Sequence, residues 1–113
     1  MTDATIDRAT FDGLVETTGS DFVRELVATF VAEAPRMLDE LRNAFANGDT
    51  ERFRRGAHSL KSNANTFGAL SLGAMAKALE LGGLAFAKTG APITEAADEY
   101  ARAADELKDL ARA

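Results

Sequence analysis

Apolar residues recur along the chain at steps of three and four, and polar or charged residues occupy the positions between them. This spacing places the apolar side chains on one face of an α-helix. Breaks that contain glycine divide the pattern into five segments, and they lie at Gly19-Ser20, Asn47-Gly48, Gly68 and Thr89-Gly90-Ala91-Pro92. The pattern therefore predicts an all-α protein.

The first segment is short, and the second is the longest. The apolar stripe of the second continues in phase across Pro35, which predicts one kinked helix rather than two. Ser20 is the predicted N-cap of this helix and Asp49 that of the third, because their side-chain oxygens can accept hydrogen bonds from the first turn. The two stripes contain Phe11, Leu14 and Val15, and then Phe22, Leu26, Phe30, Ala34, Leu38, Leu41 and Phe45.

Three further segments complete the pattern. Gly82-Gly83 weakens the second half of the fourth segment, and Pro92 is predicted at the first position of the fifth helix. Four substantial helices with short connections predict an antiparallel up-down four-helix bundle, preceded by a short additional N-terminal helix, in a single domain over residues 1–113. The stripes of these segments are Phe53, Ala57, Leu60, Ala64 and Phe67; Leu72, Met75, Leu79 and Phe86; and Ile93, Ala97, Tyr100, Ala104, Leu107 and Ala111.

Composition narrows the possible functions. The chain has no cysteine, which excludes disulfides and thiolate metal sites, and its formal net charge of -5 argues against a nucleic-acid partner. No apolar run approaches the ~18 residues of a membrane span, and the N-terminus lacks the basic and apolar parts of a signal peptide. These features predict a cytoplasmic protein that binds neither nucleic acid nor a membrane.

The only histidine of the chain, His58, falls on the third predicted helix. Leu60 lies near the middle of the apolar stripe. Each residue turns a helix by about 100°, so His58 lies about 200° from Leu60, on the opposite face. The imidazole is therefore predicted to face solvent. The polar and basic side chains on the same side of the helix are Arg54, Arg55, Lys61, Ser62 and Asn65.

Several roles for His58 follow from these residue types. A role as a buried core residue is excluded by the position of His58, which lies on the face of the helix opposite Leu60. A metal site would need further ligands, and the chain has no second histidine and no Glu-x-x-His pattern. A serine–histidine hydrolase would use Ser62, one turn away, yet such a helical pair has neither a nucleophile turn nor an evident oxyanion hole. An ordinary surface histidine stays open as an alternative.

The chemistry that best suits this face is anionic. A neutral imidazole nitrogen is a nucleophile, and accepting a phosphoryl group would place negative charge beside it. Lys61 could then supply a charge-assisted hydrogen bond and Ser62 a neutral one. Arg54 and Arg55 make the helix locally basic, which suits an acidic or phosphoryl-bearing partner.

The stretch "AHSLKSNANTFG", residues 57–68, resembles the histidine phosphotransfer (HPt) domains of bacterial phosphorelays. The segments "FVAEAPRMLDELRNAFANGD", residues 30–49, and "LEL", residues 79–81, also agree, so the resemblance covers nearly the whole chain. Ser62 departs from the family, which usually has a glycine there that leaves the histidine accessible. The matching residues around the histidine are Ala57, His58, Leu60, Lys61, Ala64, Phe67, Gly68 and Ala69.

The resemblance implies that His58 is phosphorylated and exchanges the phosphoryl group with aspartates of receiver domains, with Lys61 and Ser62 beside it. It also implies that Glu80, on the next helix, hydrogen-bonds the imidazole and orients it. The chain itself is expected to bind no cofactor or metal, because the receiver domain would bring the Mg²⁺. Docking is expected over Arg54, Arg55, Asn65 and Gly68.

The implied partners are response-regulator receiver domains and a (hybrid) histidine kinase. The chain would be a monomeric phosphorelay carrier without kinase activity of its own. Two alternatives remain: a non-phosphorylated adaptor that keeps the docking face, and the phosphoacceptor domain of a chemotaxis-type histidine kinase, which has a similar motif. The intact His58 and Lys61 argue against the adaptor.

Overall fold

The computed structural model describes residues 5–112, and this part of the chain forms five α-helices and no strand. The connections between successive helices are short. This agrees with the all-α prediction. The helices are α1 (Arg8–Thr18), α2 (Ser20–Asn47), α3 (Thr50–Thr66), α4 (Leu70–Phe86) and α5 (Ala91–Arg112).

Helices α2 to α5 form a closed bundle in which each packs against the next and α5 returns to α2. Near one end, Arg24 Nε of α2 donates a hydrogen bond to the carbonyl of Ala111 in α5, at 2.9 Å. In mid-bundle, the Tyr100 hydroxyl of α5 donates to the Val31 carbonyl of α2, at 2.7 Å. The start of α2 therefore lies beside the end of α5, which confirms the predicted antiparallel four-helix bundle.

The core is formed by the apolar faces of all five helices. The predicted stripe of α3, from Phe53 to Phe67, is buried at every position. Two aromatic contacts join α2 to its neighbours, with ring centroids 5.2 Å apart for Phe30 and Phe67 and 5.7 Å apart for Phe30 and Tyr100. The buried stripe sets the rotation of α3 about its axis, and that rotation sets the direction of His58.

The start of α2 differs from the prediction. Phe22 is half-exposed, while Val23 and Val27 are buried in its place. Successive steps of four residues drift around a helix, so Phe22 lies about 80° from Phe30 and Val23 only about 20° from it. Ser20 is the first helical residue rather than the N-cap; the cap position is Gly19, at φ 92°, and no side chain caps this end.

The other predicted helix boundaries are close to the observed ones. The Asp49 side chain caps α3 by accepting from the Arg52 backbone N–H at 3.1 Å, as predicted. Helix α5 begins at Ala91, so Pro92 is its second residue rather than its first. Pro35 lies within the continuous helix α2, as predicted.

Helix α4 is interrupted at Gly83, whose φ of 63° and ψ of -155° are not helical. This backbone region is essentially restricted to glycine. The break changes the helical phase beyond it, and Phe86, predicted in the core, is half-exposed. The regular part of α4 that faces α3 therefore ends shortly after Glu80.

Helix α1 covers the end of the bundle and packs against α2 and α3. The backbone N–H of Asp7, the N-cap of α1, donates to the carbonyl of Gly68 at 2.7 Å. Gly68 adopts a φ of 84°, in the left-handed region that favours glycine. None of the helices in residues 5–112 has the length and apolar content that crossing a lipid bilayer requires.

Leu60→Ala is expected to lower the free energy of unfolding by roughly 2–5 kcal/mol, because it leaves a cavity at a fully buried position. Ser59→Ala, one residue away on the exposed side, is the control and should cost little. Denaturant melts of both variants measure the difference. Similar losses in the two variants would contradict the helical phase of α3.

Gly68→Ala is expected to destabilise the protein more than Gly48→Ala, by about 1 kcal/mol or more. Both glycines have positive φ, at 84° and 66°, so both substitutions carry backbone strain. Only at Gly68 would the new Cβ meet backbone, 2.7 Å from the Asp7 carbonyl oxygen, which forces α1 to shift. Equal melting curves for the two variants would show that the docking of α1 does not depend on this close approach.

Candidate functional site

His58 lies on α3 directly opposite its buried face. Its side chain is 55% exposed, whereas Leu60 is fully buried. The prediction that the imidazole faces solvent is confirmed. A reactive group in this position can be reached by a second protein without any opening of the bundle.

Glu80 of α4 holds the ring of His58. The imidazole Nδ1 lies 2.9 Å from the Glu80 carboxylate oxygen Oε2. A carboxylate accepts hydrogen bonds, so Nδ1 carries the proton and donates it to Glu80. The second ring nitrogen, Nε2, is left with a free lone pair, which is the form that acts as a nucleophile.

Lys61 meets the same carboxylate. Its Nζ lies 2.8 Å from Oε1 of Glu80, an oxygen that is buried and forms no hydrogen bond of regular geometry, so the contact acts as an ion pair. The Lys61 side chain is 26% exposed and that of Glu80 only 13%. One carboxylate from α4 therefore binds two residues of α3, one helical turn apart.

The contact with Lys61 is the main cause that lowers the pKa of the Glu80 carboxyl below its usual value, and the contact with His58 adds to this effect. Burial acts in the opposite direction. Glu80 therefore stays charged to a lower pH than an ordinary glutamate. Its contacts with His58 and Lys61 are present above that range and are lost as the pH falls through the lowered pKa.

The other predicted site residues within α3 lie on its exposed surface. Ser62 and Asn65 are exposed on the His58 side of α3, as predicted. Arg54 forms an ion pair with Glu51, and Arg55 lies 4.0 Å from the same carboxylate.

Gly68, which is expected to take part in docking, is buried beneath the start of α1, and its carbonyl accepts a hydrogen bond from the Asp7 backbone N–H. In the sequence, Gly68 is a helix-breaking residue close to the histidine motif. The structure shows that its freedom of φ and its missing side chain serve the contact between α1 and α3.

Two features of α3 and its neighbours did not emerge from the sequence. Gly73 of α4 has no side chain that would overlap Asn65, so Asn65 lies against this helix. A groove of about 150 Å³ lies between α2 and the C-terminal half of α3. Both features depend on how neighbouring helices are aligned, and the periodicity within one helix does not predict that alignment. The groove is lined by Leu26, Thr29, Phe30, Glu33, Met37, Asn63, Thr66 and Phe67.

A sequence profile described as the Hpt domain matches residues 25–113. The chain belongs to the Hpt domain family. Among solved structures, this Hpt domain is similar to histidine-containing phosphotransfer protein B (HptB) from Pseudomonas aeruginosa PAO1, with 25% sequence identity and a TM-score of 0.88. The match covers 98% of this chain and 97% of HptB. A search of curated proteins found no match.

Membership of this family confirms the resemblance found in the sequence and assigns the chain a phosphorelay function. Hpt domains are phosphotransfer carriers rather than kinases, and they interact with receiver domains and kinases. A carrier needs an accessible group that takes up a phosphoryl group and releases it again.

Glu80→Ala is expected to leave the fold intact and to lower the rate of phosphotransfer, because the imidazole loses the acceptor that holds its Nδ1 proton. Glu80→Gln should retain more activity, since the amide oxygen can still accept this hydrogen bond. Transfer rates and circular dichroism of both variants provide the measurement. If both variants transfer as fast as the wild type, Glu80 has no part in the reaction.

Proposed function

We propose that Nε2 of His58 is the atom that carries the phosphoryl group of this Hpt domain. The observation that supports this most directly is the exposed imidazole whose other nitrogen is engaged by Glu80. His58 is also the only histidine of the chain. The proposal makes the chain an intermediate that accepts phosphoryl groups from receiver aspartates and donates them to others.

In the transfer step, the Nε2 lone pair attacks the phosphorus of a receiver aspartyl phosphate. A P–N bond forms while the bond from phosphorus to the aspartate oxygen breaks, and the electron pair leaves with the aspartate carboxylate. The ring keeps its Nδ1 proton and becomes positively charged. Glu80, 2.9 Å from Nδ1, offsets this charge, and the reverse sequence returns the phosphoryl group to an aspartate.

Lys61 would act on the phosphoryl group itself. It lies one turn from His58, and its flexible stem can turn the ammonium from Glu80 towards the phosphoryl oxygens. A charge-assisted hydrogen bond there stabilises the negative charge that arrives with the group. Ser62, on the same side, can add a neutral hydrogen bond.

The partners that suit this site are acidic. Arg54 and Arg55 are exposed on the same helix, and Asn65 lies further along it. We propose that receiver domains dock over this face and bring the Mg²⁺ that the reaction needs, while a (hybrid) histidine kinase supplies the phosphoryl group at the start of the relay. The chain would then have no kinase activity of its own and bind no metal.

The carrier is further proposed to be a monomer in the cytoplasm. The net charge of -5 opposes association between identical copies. A monomer also leaves His58 accessible to successive partners. Gel filtration combined with light scattering measures the oligomeric state directly.

His58→Gln is expected to abolish phosphate uptake and to leave helical content and melting behaviour nearly unchanged, because His58 faces solvent and contributes little to the core. Lys61→Ala should slow transfer without abolishing it, since the nucleophile remains. The assay incubates wild type and both variants with phosphorylated receiver domains and detects acid-labile phosphate on this chain. Acid-labile phosphate on the His58→Gln variant would disprove the proposal.

A further inference from the structure

Helix α4 carries an apolar strip on its outer side. Among the large apolar side chains exposed in residues 5–112, Leu81 is the most exposed, at 75%, and Leu70 on the same helix is about half exposed. Leu70, Ala74, Lys77 and Leu81 follow each other at steps of four, three and four, and all four are exposed. These four residues are called the α4 strip. It is a second apolar face, separate from the one that α4 buries in the core.

The α4 strip lies beside the reactive histidine. Leu81 directly follows Glu80, whose carboxylate contacts His58. Lys77 and Leu81 lie about 60° and 100° around the helix from Glu80, on its solvent side. Near the other end of the strip, Gly73 is in contact with Asn65, which shares the face of His58. Single exposed apolar residues are common in proteins, but here they form a line next to the site.

The exposed charges at the end of the α4 strip near His58 are mainly positive. Lys77 is exposed within the strip and Arg54 is half-exposed on α3, whereas the exposed Glu95 of α5 lies near Ala74, towards the other end. The Glu80 carboxylate is largely buried and faces Lys61. This surface therefore differs from the chain as a whole, whose net charge is -5. It suits a partner that presents an apolar side chain together with acidic groups.

A typical protein interface is wide enough that a partner bound at His58 also covers part of the α4 strip. A stable interface covers about 800 Å² on each partner, a patch roughly 30 Å across. Neighbouring helices are only about 8–10 Å apart. A protein centred on His58 therefore extends over the flanks of α3, and on the α4 side it reaches Leu81 and Lys77.

We propose that the receiver domain that exchanges phosphoryl groups with His58 docks on the α4 strip, covering Leu81 with an apolar side chain and facing Lys77 with an acidic one. This inference rests on the proposed role of His58. A second copy of this chain fits the strip less well, because a twofold pairing along α4 would bring two Lys77 ammonium groups close together.

The test compares Leu81→Gln with Phe86→Gln. Phe86 is a matched control, because it is exposed on the same helix but lies beyond the break at Gly83. Lys77→Ala is compared with Lys108→Ala on α5, whose lysine is also exposed. Two phosphoryl donors are used: a phosphorylated receiver domain that transfers to the wild type in the assay above, and phosphoramidate. Phosphoramidate needs no docking, since its phosphoryl group forms the P–N bond to Nε2 as its protonated amino group leaves as ammonia.

Leu81→Gln should slow transfer from the receiver domain about tenfold, the order expected when one leucine loses its apolar contacts, and Phe86→Gln should have less than a twofold effect. Lys77→Ala should slow transfer at low salt and approach the wild type at high salt, whereas Lys108→Ala should not. Labelling of the Leu81→Gln variant by phosphoramidate should match that of the wild type.

Other results would overturn the inference. Equal transfer rates for Leu81→Gln and Phe86→Gln would show that the receiver does not use the α4 strip, while leaving the role of His58 intact. Slower labelling by both donors would mean that Leu81 acts by positioning Glu80 or His58. A wild type that forms dimers, and becomes monomeric in the Leu81→Gln variant, would identify a second copy as the occupant. If neither phosphoramidate nor any of the phosphorylated receiver domains tried in that assay labels the wild type, the proposed function itself is disproved.

Discussion

The rotation of α3 about its own axis is the constraint on which the site depends. Phe53, Ala57 and Leu60 are fully buried between the neighbouring helices. A shift by one residue would turn them by about 100° and expose part of this face. The same rotation leaves His58 in solvent. Packing in the core therefore sets the direction of the imidazole ring, and the polar contacts only refine it.

Glu80 holds the exposed imidazole of His58 in one tautomer. Its carboxylate is largely buried between α3 and α4, where an unpaired charge would be costly. Lys61 and His58 compensate for that charge from the same helix. In return, the imidazole keeps its proton on Nδ1, and the Lys61 ammonium stays close to the place where a phosphoryl group would arrive. A single side chain thus joins the proposed nucleophile and the cation proposed to stabilise the phosphoryl group.

The sequence predicted the features that depend on one helix at a time. The stripe of α3 is regular over five positions, so its phase and the exposure of His58 could be predicted from it. The contact of Glu80 with the imidazole came from the resemblance to HPt domains, and its ion pair with Lys61 was not foreseen. That ion pair depends on the alignment of α3 with α4, which the periodicity within either helix does not determine.

The errors in the sequence analysis have a related origin. The spacing of the apolar stripes predicts Phe22 and Phe86 in the core, but a drift of phase in α2 and the break at Gly83 leave both half-exposed. The burial of Gly68 is a further feature that the periodicity of α3 does not predict, because it depends on α1, which meets Gly68 from a distant part of the sequence.

The single histidine gives the site a spectroscopic label of its own. Every imidazole signal in a nuclear magnetic resonance spectrum of this chain comes from His58. The nitrogen-15 shifts of its ring distinguish the protonated nitrogen from the one with a free lone pair, and a phosphoryl group on Nε2 would add a coupling to phosphorus-31. Tautomer, phosphorylation and the arrival of a partner can therefore be followed at one ring, with no probe attached to the surface where that partner binds.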